Sequence, residues 1–272
     1  KQQTILESLR RVQMVNVNLM KGDCLERMKL IHDGSVDMIL TDPPFGTTKC
    51  PWDSVIPFEP MWNELNRIIK PNGCVLLFAQ TPFDKVLGAS NINMLKYEWV
   101  WEKTAATGHL NAKKMPMKAH ENILVFYSKL PNYYPIKTTG HVRKSSTADR
   151  GRLESEIYGS ESGVTTYDST ERYPRSVLKF SSDKQKSNLH PTQKPVALLE
   201  YLIKTYTQEG ETVLDFTAGS MSTAIACINT NRNGIMIEKD EHYFKVGSDR
   251  VSQALQELGD DRVKQALNEK EN

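Results

Sequence analysis

Apolar and polar residues change period several times along this chain, and each change marks an element. Val15 to Met20 is a short apolar run closed by Lys21-Gly22-Asp23, which predicts a strand and its exit turn. Cys24 to Ile31 then sets Leu25, Met28 and Ile31 at helical spacing, and Val36 to Leu40 predicts a buried strand ending at Asp42. A stripe of Phe58, Met61, Trp62, Leu65, Ile68 and Ile69 predicts a helix, stopped by the breaker Lys70-Pro71-Asn72-Gly73. Cys74 to Ala79 is a third strand, and Pro82 to Ala89 the next helix. Two aromatic-rich runs, Lys96 to Glu102 and Glu121 to Tyr127, predict strands on either side of a Gly- and Lys-containing mobile loop, Ala105 to Ala119.

From Leu130 to Leu189 this rhythm is lost. The stretch is Ser/Thr-rich, basic and poor in aliphatics, with Tyr133, Tyr134, Tyr158, Tyr167 and Tyr173 dispersed through it. It reads as an inserted recognition element or as a loop that orders on binding. The α/β rhythm then returns. Pro195 to Tyr206 predicts a helix with Pro at its first position, and Thr212 to Leu214 a strand ending at Asp215. Gly219 to Asn229 is a helix, Gly234 to Ile237 a strand ending at Glu238, and Tyr243 to Leu258 a helix that the charged tail Gly259 to Asn272 extends. Strands alternating with helices predict an α/β fold with a doubly wound, mostly parallel sheet. Such sheets bind ligands beyond the carboxyl ends of their strands. Asp23, Asp42, Asp215 and Glu238 each follow a different strand, so four acids share one rim. That arrangement is costly unless a polar or cationic ligand occupies it.

Composition narrows the class. The chain has 272 residues, 39% hydrophobic and 25% charged, as in ordinary globular proteins, and no apolar stretch of membrane-spanning length. Lys1 to Gln13 places Ile5, Leu6, Leu9 and Val12 at helical spacing between charges, unlike a secretory signal, and Met14 or Met20 reads as a natural start. Cys24, Cys50, Cys74 and Cys227 form no Cys-x-x-Cys pair, which speaks against a zinc cluster or disulfide framework and for a reducing cytoplasm. His109, His120 and His141 lack metal-ligand spacing, so no metal is expected. The net charge of +2 is uneven: Lys96 to Leu189 holds sixteen Lys/Arg against ten Asp/Glu, a surplus of six that leaves −4 elsewhere. A basic middle segment of this kind suits a polyanion, although ordinary solvated surface reads the same way on charge alone.

Two stretches carry chemistry. Thr41-Asp42-Pro43-Pro44-Phe45 sits at the exit of a strand. The bland reading is a rigid turn, since Pro fixes φ and holds its predecessor extended. The sharper one is a clamp for an amino group on a flat ring. Asp42 supplies a carboxylate acceptor, Pro43 a carbonyl of fixed direction, Pro44 the rigidity, and Phe45 a stacking face worth roughly 1–3 kcal/mol. The second stretch, Val213 to Thr223, is a strand, a small-residue turn and a helix start. Its Gly219 permits close backbone approach, and the helix N-terminus presents N–H groups to an anion. Glu238 ends the following strand, where an acid can accept ribose hydroxyls. Without Gly-x-Gly-x-x-Gly a dinucleotide is disfavoured, and the combination points to an adenosine-containing cofactor lacking a pyrophosphate.

On these residues the chain resembles the permuted, β-group amino-methylating DNA methyltransferases that use S-adenosylmethionine. The similarity runs from Gly22-Asp23 through Asp42 to Phe45, then His190 to Pro195, then Asp215 to Glu238, in the family's order of parts. It implies a circularly permuted, Rossmann-like, seven-stranded sheet. The implied domains are a catalytic half at 14–128, a target-recognition insert at 129–189, a cofactor-binding half at 190–258 and a charged tail at 259–272. Cofactor contacts are implied for Asp23, Cys24, Thr41, Lys194, Asp215, Phe216, Thr217, Ala218, Gly219, Ser220 and Glu238, with Asp23 facing adenine, Lys194 on the methionine carboxylate and Glu238 on the ribose. The family usually reads Asp-Pro-Phe-x-Gly-Ser-Gly, whereas Phe216, Thr217 and Met221 here replace the Pro, the Phe and the second Gly.

The implied reaction is direct in-line methylation of adenine N6 in double-stranded DNA after base flipping. Asp at the first motif position favours adenine over cytosine N4, and the lack of a Pro-Cys dipeptide argues against ring-carbon methylation. Trp52 and Asp53 are candidates for lining the pocket. Trp52, Lys113, Lys114, Arg143, Lys144, Arg150, Arg152, Arg172 and Arg175 are candidate DNA contacts. A homodimer, a cognate restriction endonuclease and a bacterial or phage source are also implied. The rival classes are a non-catalytic DNA-binding partner subunit and a methyltransferase for RNA or a protein glutamine. The basic insert favours nucleic acid.

Overall fold

The computed structural model describes residues 15–47, 53–149, 153–155, 159–161, 164–182 and 193–268. The expected helical stretch Lys1 to Gln13 lies outside these. The chain divides into two compact units, Pro135–Arg175 and everything else.

In the larger unit the elements are β1 (Val17–Lys21), α1 (Cys24–Met28), β2 (Val36–Thr41), α2 (Phe58–Ile68), β3 (Ile69–Ala79), α3 (Phe83–Ser90), β4 (Leu95–Thr107) and β5 (Lys118–Phe126). After the smaller unit, which holds β6 (Lys144–Asp149), β7 (Leu153–Ser155), β8 (Gly159–Glu161) and β9 (Val164–Ser169), come β10 (Val177–Phe180), α4 (Val196–Tyr206), β11 (Thr212–Asp215), α5 (Ser222–Asn229), β12 (Asn233–Glu238) and α6 (Glu241–Asn268). Among the described residues eight strands form one sheet in the order β1-β12-β11-β2-β3-β5-β4-β10. Only β5 runs against the others. The expected seven strands become eight because Val177 to Phe180, read as part of the insert, pairs in parallel with Val100 to Lys103.

Period-two alternation explains the two-sided core. Met38, Leu40, Cys74, Leu76, Phe78, Ile123 and Val125 face the layer that includes Leu198, Leu202, Ala224 and Ile228. Their neighbours Ile39, Val75, Leu77, Leu124 and Phe126 face Met28, Met61, Trp62, Leu65 and Leu87 on the opposite side. All six residues of β2 are buried, as befits a central strand. The chain leaves β11 toward β12 and leaves β2 toward β3, so sheet order reverses between β11 and β2. A crevice opens at such a switch point beyond the carboxyl ends.

Several local expectations are revised. Lys70 to Gly73 does not separate α2 from the next strand, because β3 begins at Ile69 directly after the helix. Gly73 is needed there: a Cβ would lie 2.6 Å from the Asp37 carbonyl oxygen. Pro195 caps α4 with an extended ψ of 127° and is not its first helical residue. Ala105 to Ala119 is not one loop, since β4 runs to Thr107, His109–Asn111 forms a 3-10 turn, and β5 starts at Lys118.

Among its described residues the smaller unit holds two antiparallel pairs, Lys144–Asp149 (β6) with Val164–Ser169 (β9) and Leu153–Ser155 (β7) with Gly159–Glu161 (β8). Thr138 bridges Arg172. Among the described residues no helix is long and apolar enough to cross a membrane.

Candidate active site

The carboxyl ends of β1, β2, β11 and β12 surround a cavity of about 760 Å³ lined by Asp23, Asp42, Asp215 and Glu238 together with Thr41, Pro43 to Phe45 and Phe216 to Ser220. The four acids placed on one rim by the sequence are therefore in one wall, and their neighbours show how they are tolerated.

Asp215 is satisfied internally. It accepts from the Thr41 hydroxyl, from Thr223 Oγ1 at 2.6 Å and from Thr217 N at 3.2 Å. Burial still pushes its carboxyl up to about 6, against the pull of those donors. Thr41 Oγ1 also receives Phe216 N at 3.1 Å, and Thr217 Oγ1 donates to the Asp42 carbonyl at 3.0 Å. The two motifs, far apart in sequence, are thus stitched together across the switch point. Glu238 accepts Gly219 N on Oε2 and Asp240 N on Oε1, both at 2.7 Å. Burial raises its carboxyl above the ordinary range. Asp23 caps α1 by accepting Leu25 N at 3.0 Å and pairs with Lys239 at 3.2 Å. Cys24 lines the same wall, and burial lifts its thiol to about 11, so it stays protonated.

Asp42 differs from these. Its Oδ2 pairs with the Lys194 ammonium, while its Oδ1 is buried and has no hydrogen-bond partner. Burial raises its carboxyl above the usual range, and the nearby Glu121 charge adds to this. Pro43 is buried, and Phe45 is half-buried with its ring stacked on Phe83, centroids 5.0 Å apart at 27°. The loop beyond the motif is pinned by Asp53, which accepts Gly46 N at 2.8 Å and Thr47 N at 3.0 Å.

Lys194 lies over the Phe78 ring at 5.0 Å and also reaches Glu121 Oε2 at 3.4 Å, within ion-pair range but without hydrogen-bond geometry. Burial disfavours its charge, yet Asp42 and Glu121 together hold the ammonium above its ordinary value. Sequence reasoning did not single out Glu121 or Gln193. Gln193 lines the cavity with its side-chain oxygen buried and unpartnered. The available signal for Glu121 was a polar His120-Glu121-Asn122 triplet at the head of the apolar run Ile123 to Phe126.

The substituted turn is also explained. Phe216 is buried in the core and lines the cavity, Thr217 joins Asp42 to the turn, and Met221 is fully buried away from the cavity wall. Of the candidate DNA contacts, Trp52, Arg150 and Arg152 lie outside the described residues. Lys113 and Lys114 are exposed between β4 and β5. In the smaller unit Arg143 is held in a two-point pair with Asp168 at 2.8 and 2.6 Å. Arg172 donates to the carbonyls of Val142, Ser169 and Glu171. Lys144 and Arg175 are exposed.

Comparison with known proteins agrees with this arrangement. A family model described as DNA methylase, covering N6 and N4 methyltransferases, matches residues 36–249. The type II methyltransferase M.HpaI of Haemophilus parainfluenzae is 27% identical over 247 residues, covering 86% of this chain and 73% of that protein. DNA adenine methyltransferase YhdJ of Escherichia coli is 26% identical over 260 residues, covering 87% and 83%. The solved structure of M1.HpyAVI with SAM superposes with a TM-score of 0.61 at 23% identity, over 86% of this chain and 98% of that one. PvuII cytosine-N4 methyltransferase gives 0.61 at 16% identity, over 90% and 93%. With more than half its length matched by the family model and the Asp42 half preceding the Asp215 half, the chain belongs to the DNA methylase family of β-group amino-methyltransferases.

Proposed function

We propose that the chain methylates adenine N6 in double-stranded DNA, with S-adenosylmethionine as cofactor. The observation that carries this is Asp42 Oδ1, a buried acceptor left open in a wall shared with the Asp215–Gly219 turn and Glu238. A buried carboxylate oxygen without a donor costs about 1–3 kcal/mol, which a bound N–H offsets. The cavity volume of about 760 Å³ lies in the usual range for a small-molecule cofactor site. Asp23 and Glu238 stand at separate strand ends, and each Glu238 oxygen that already holds a backbone N–H keeps acceptor capacity for a ribose hydroxyl.

S-adenosylmethionine bound there supplies an electrophilic methyl group on its sulfonium. The chain's own residues orient the nucleophile. Asp42 Oδ1 and the Pro43 carbonyl accept the two amine N–H bonds, which draws the nitrogen lone pair out of the ring. Phe45, steadied by Phe83, offers the base a stacking surface. YhdJ, named as an adenine methyltransferase, and the Asp at the first motif position favour adenine. Cytosine N4 is the second reading, favoured by the likeness to the PvuII enzyme. The type II designation of M.HpaI brings a cognate restriction endonuclease into the proposal. A homodimer belongs to it too and is checked by light scattering.

Incubation with tritiated cofactor and unmethylated DNA, followed by digestion to nucleosides, should give N6-methyladenine. Label in N4-methylcytosine would select the second reading. No incorporation into any DNA by a cofactor-bound protein would overturn both and leave a non-catalytic DNA-binding subunit. Asp42→Ala should abolish transfer while DNA affinity is largely retained.

A further inference from the structure

Asp42 does not meet Lys194 alone. Lys194 also approaches Glu121 at 3.4 Å, and Glu121 Oε1 pairs with Lys103 at 2.5 Å. Side-chain exposures are 20% for Asp42, 10% for Lys194 and 9% each for Glu121 and Lys103. The four charges come from the end of β2, the approach to α4, β5 and β4, so they are assembled by the fold and not by one local turn. Taking ions out of water costs several kcal/mol each, and apolar packing commonly does as well or better for stability. A neutral, two-plus-two network whose Asp42–Lys194 end lines a cavity therefore calls for a use other than holding the sheet together.

We propose that Glu121 and Lys103 are positioning residues that act on Asp42 through Lys194, fixing Oδ2 so that Oδ1 stays ionised and open as the acceptor for the target amine. This rests on the amino-methyltransferase reading above. It gives Lys194 a task distinct from a contact with the cofactor carboxylate. Glu121 holds Lys194 through a second charge at 3.4 Å, so the ammonium is shared between two carboxylates and does not settle on Asp42 alone. Lys103 offsets the Glu121 charge, which otherwise works against ionisation of Asp42. Asp215 at the end of β11 also bears on Asp42. Its carboxyl, pushed up to about 6, titrates in its own right, so its resonance is followed beside that of Asp42 in every variant below.

Charge removal at each position has a defined sign. Lys194 and Lys103 both favour the Asp42 carboxylate, and Glu121 disfavours it. Carboxyl ¹³C NMR titration of aspartate-labelled protein without substrate, with Asp42 assigned by Asp42→Asn, reads this directly. The Asp42 midpoint should move up in Lys194→Met and, less far, in Lys103→Met, but down in Glu121→Gln. The acid limb of the methylation pH profile should follow in the same directions. In Glu121→Gln kcat should fall about ten- to a hundredfold from misplacement, and Glu121→Asp should recover part of it. Cofactor affinity measured calorimetrically in the absence of DNA should stay within about threefold of wild type in all three, a difference of about 0.65 kcal/mol.

Unmoved midpoints, or midpoints moving the same way in Lys194→Met and Glu121→Gln, overturn the proposal. So does a large loss of cofactor affinity in Lys194→Met with the Asp42 midpoint unchanged, which would assign Lys194 to the cofactor instead. If Glu121→Gln does not fold, Lys103→Met carries the test, because its residue touches neither Asp42 nor the cavity wall. The titration needs no turnover. A wild type that titrates as expected but methylates no DNA would therefore fail the proposed function and leave the network standing.

Discussion

Met221 shows how one substituted residue is absorbed. It precedes α5 with φ 59° and ψ 38°, the left-handed conformation, which costs a non-glycine residue about 1–2 kcal/mol. This is the position where the family pattern has its second Gly, so that glycine answers to backbone geometry. The strain is offset because the Met221 side chain is fully buried against Gly247 of α6, where a Cβ would lie 2.6 Å from Met221 Cγ. Met221→Gly should lose more packing than the strain it relieves, a net destabilisation of about 1–3 kcal/mol by urea unfolding. Gly247→Ala should destabilise by about 1–2 kcal/mol despite better helix propensity. The double variant should be less damaged than the sum, since each change removes the other's clash or gap. Asp215 gives a pH test. Its folded carboxyl sits at about 6 against an ordinary 3.8, so the folded state binds more protons than the unfolded one between those values. Stability from this group is therefore greatest at low pH and declines as pH rises through that window. The melting temperature of the wild type relative to Asp215→Asn should fall from pH 4 to pH 6. These residue-level details were not legible in the sequence, in which Met221 departs from a pattern without any sign that its side chain is buried off the cavity wall.

Elements were read better than single contacts. The strands ending at Asp42, Asp215 and Glu238 and the stripe of Phe58 to Ile68 were visible because burial on a strand or helix leaves a period in the sequence. Boundaries failed where a break in composition did not break the backbone, as at Lys70 to Gly73, and where one short segment, Val177 to Phe180, joined a distant edge strand. Pairing across long separations leaves no local mark. The join of α4 to the sheet is such a case. Tyr206, the last residue of α4, accepts a hydrogen bond from buried Trp99 Nε1 at 2.7 Å and lies 2.6 Å from the Tyr97 hydroxyl. Tyr206→Phe strands the indole N–H and should cost about 1–3 kcal/mol, read by chemical denaturation with cofactor affinity little changed.

At the scale of the molecule, the order of parts was legible and the assembly of the site was not. The four rim acids followed from strand exits, yet the Lys194–Glu121–Lys103 chain needs β4, β5 and the approach to α4 in three dimensions. The smaller unit secures itself through its own contacts, including Arg143 with Asp168 and Arg172 on backbone carbonyls. Replacing Pro135–Arg175 with a flexible linker should leave cofactor affinity near wild type while reducing DNA affinity and site selectivity, measured by calorimetry and by gel shift. A parallel loss of cofactor binding would show that the larger unit depends on the smaller for its fold.

The placing of β2 has a consequence for how the protein is made. This strand, buried on both faces, takes β3 on one edge early in synthesis, but its other edge waits for β11, with Val213 opposite Met38. Until the ribosome has delivered β11, an apolar strand with a free edge stands ready to pair with other molecules. Chains cut short before Thr212 should therefore collect in inclusion bodies and give no soluble fragment, and the motif at Asp42 acquires its geometry only once β11 has been made.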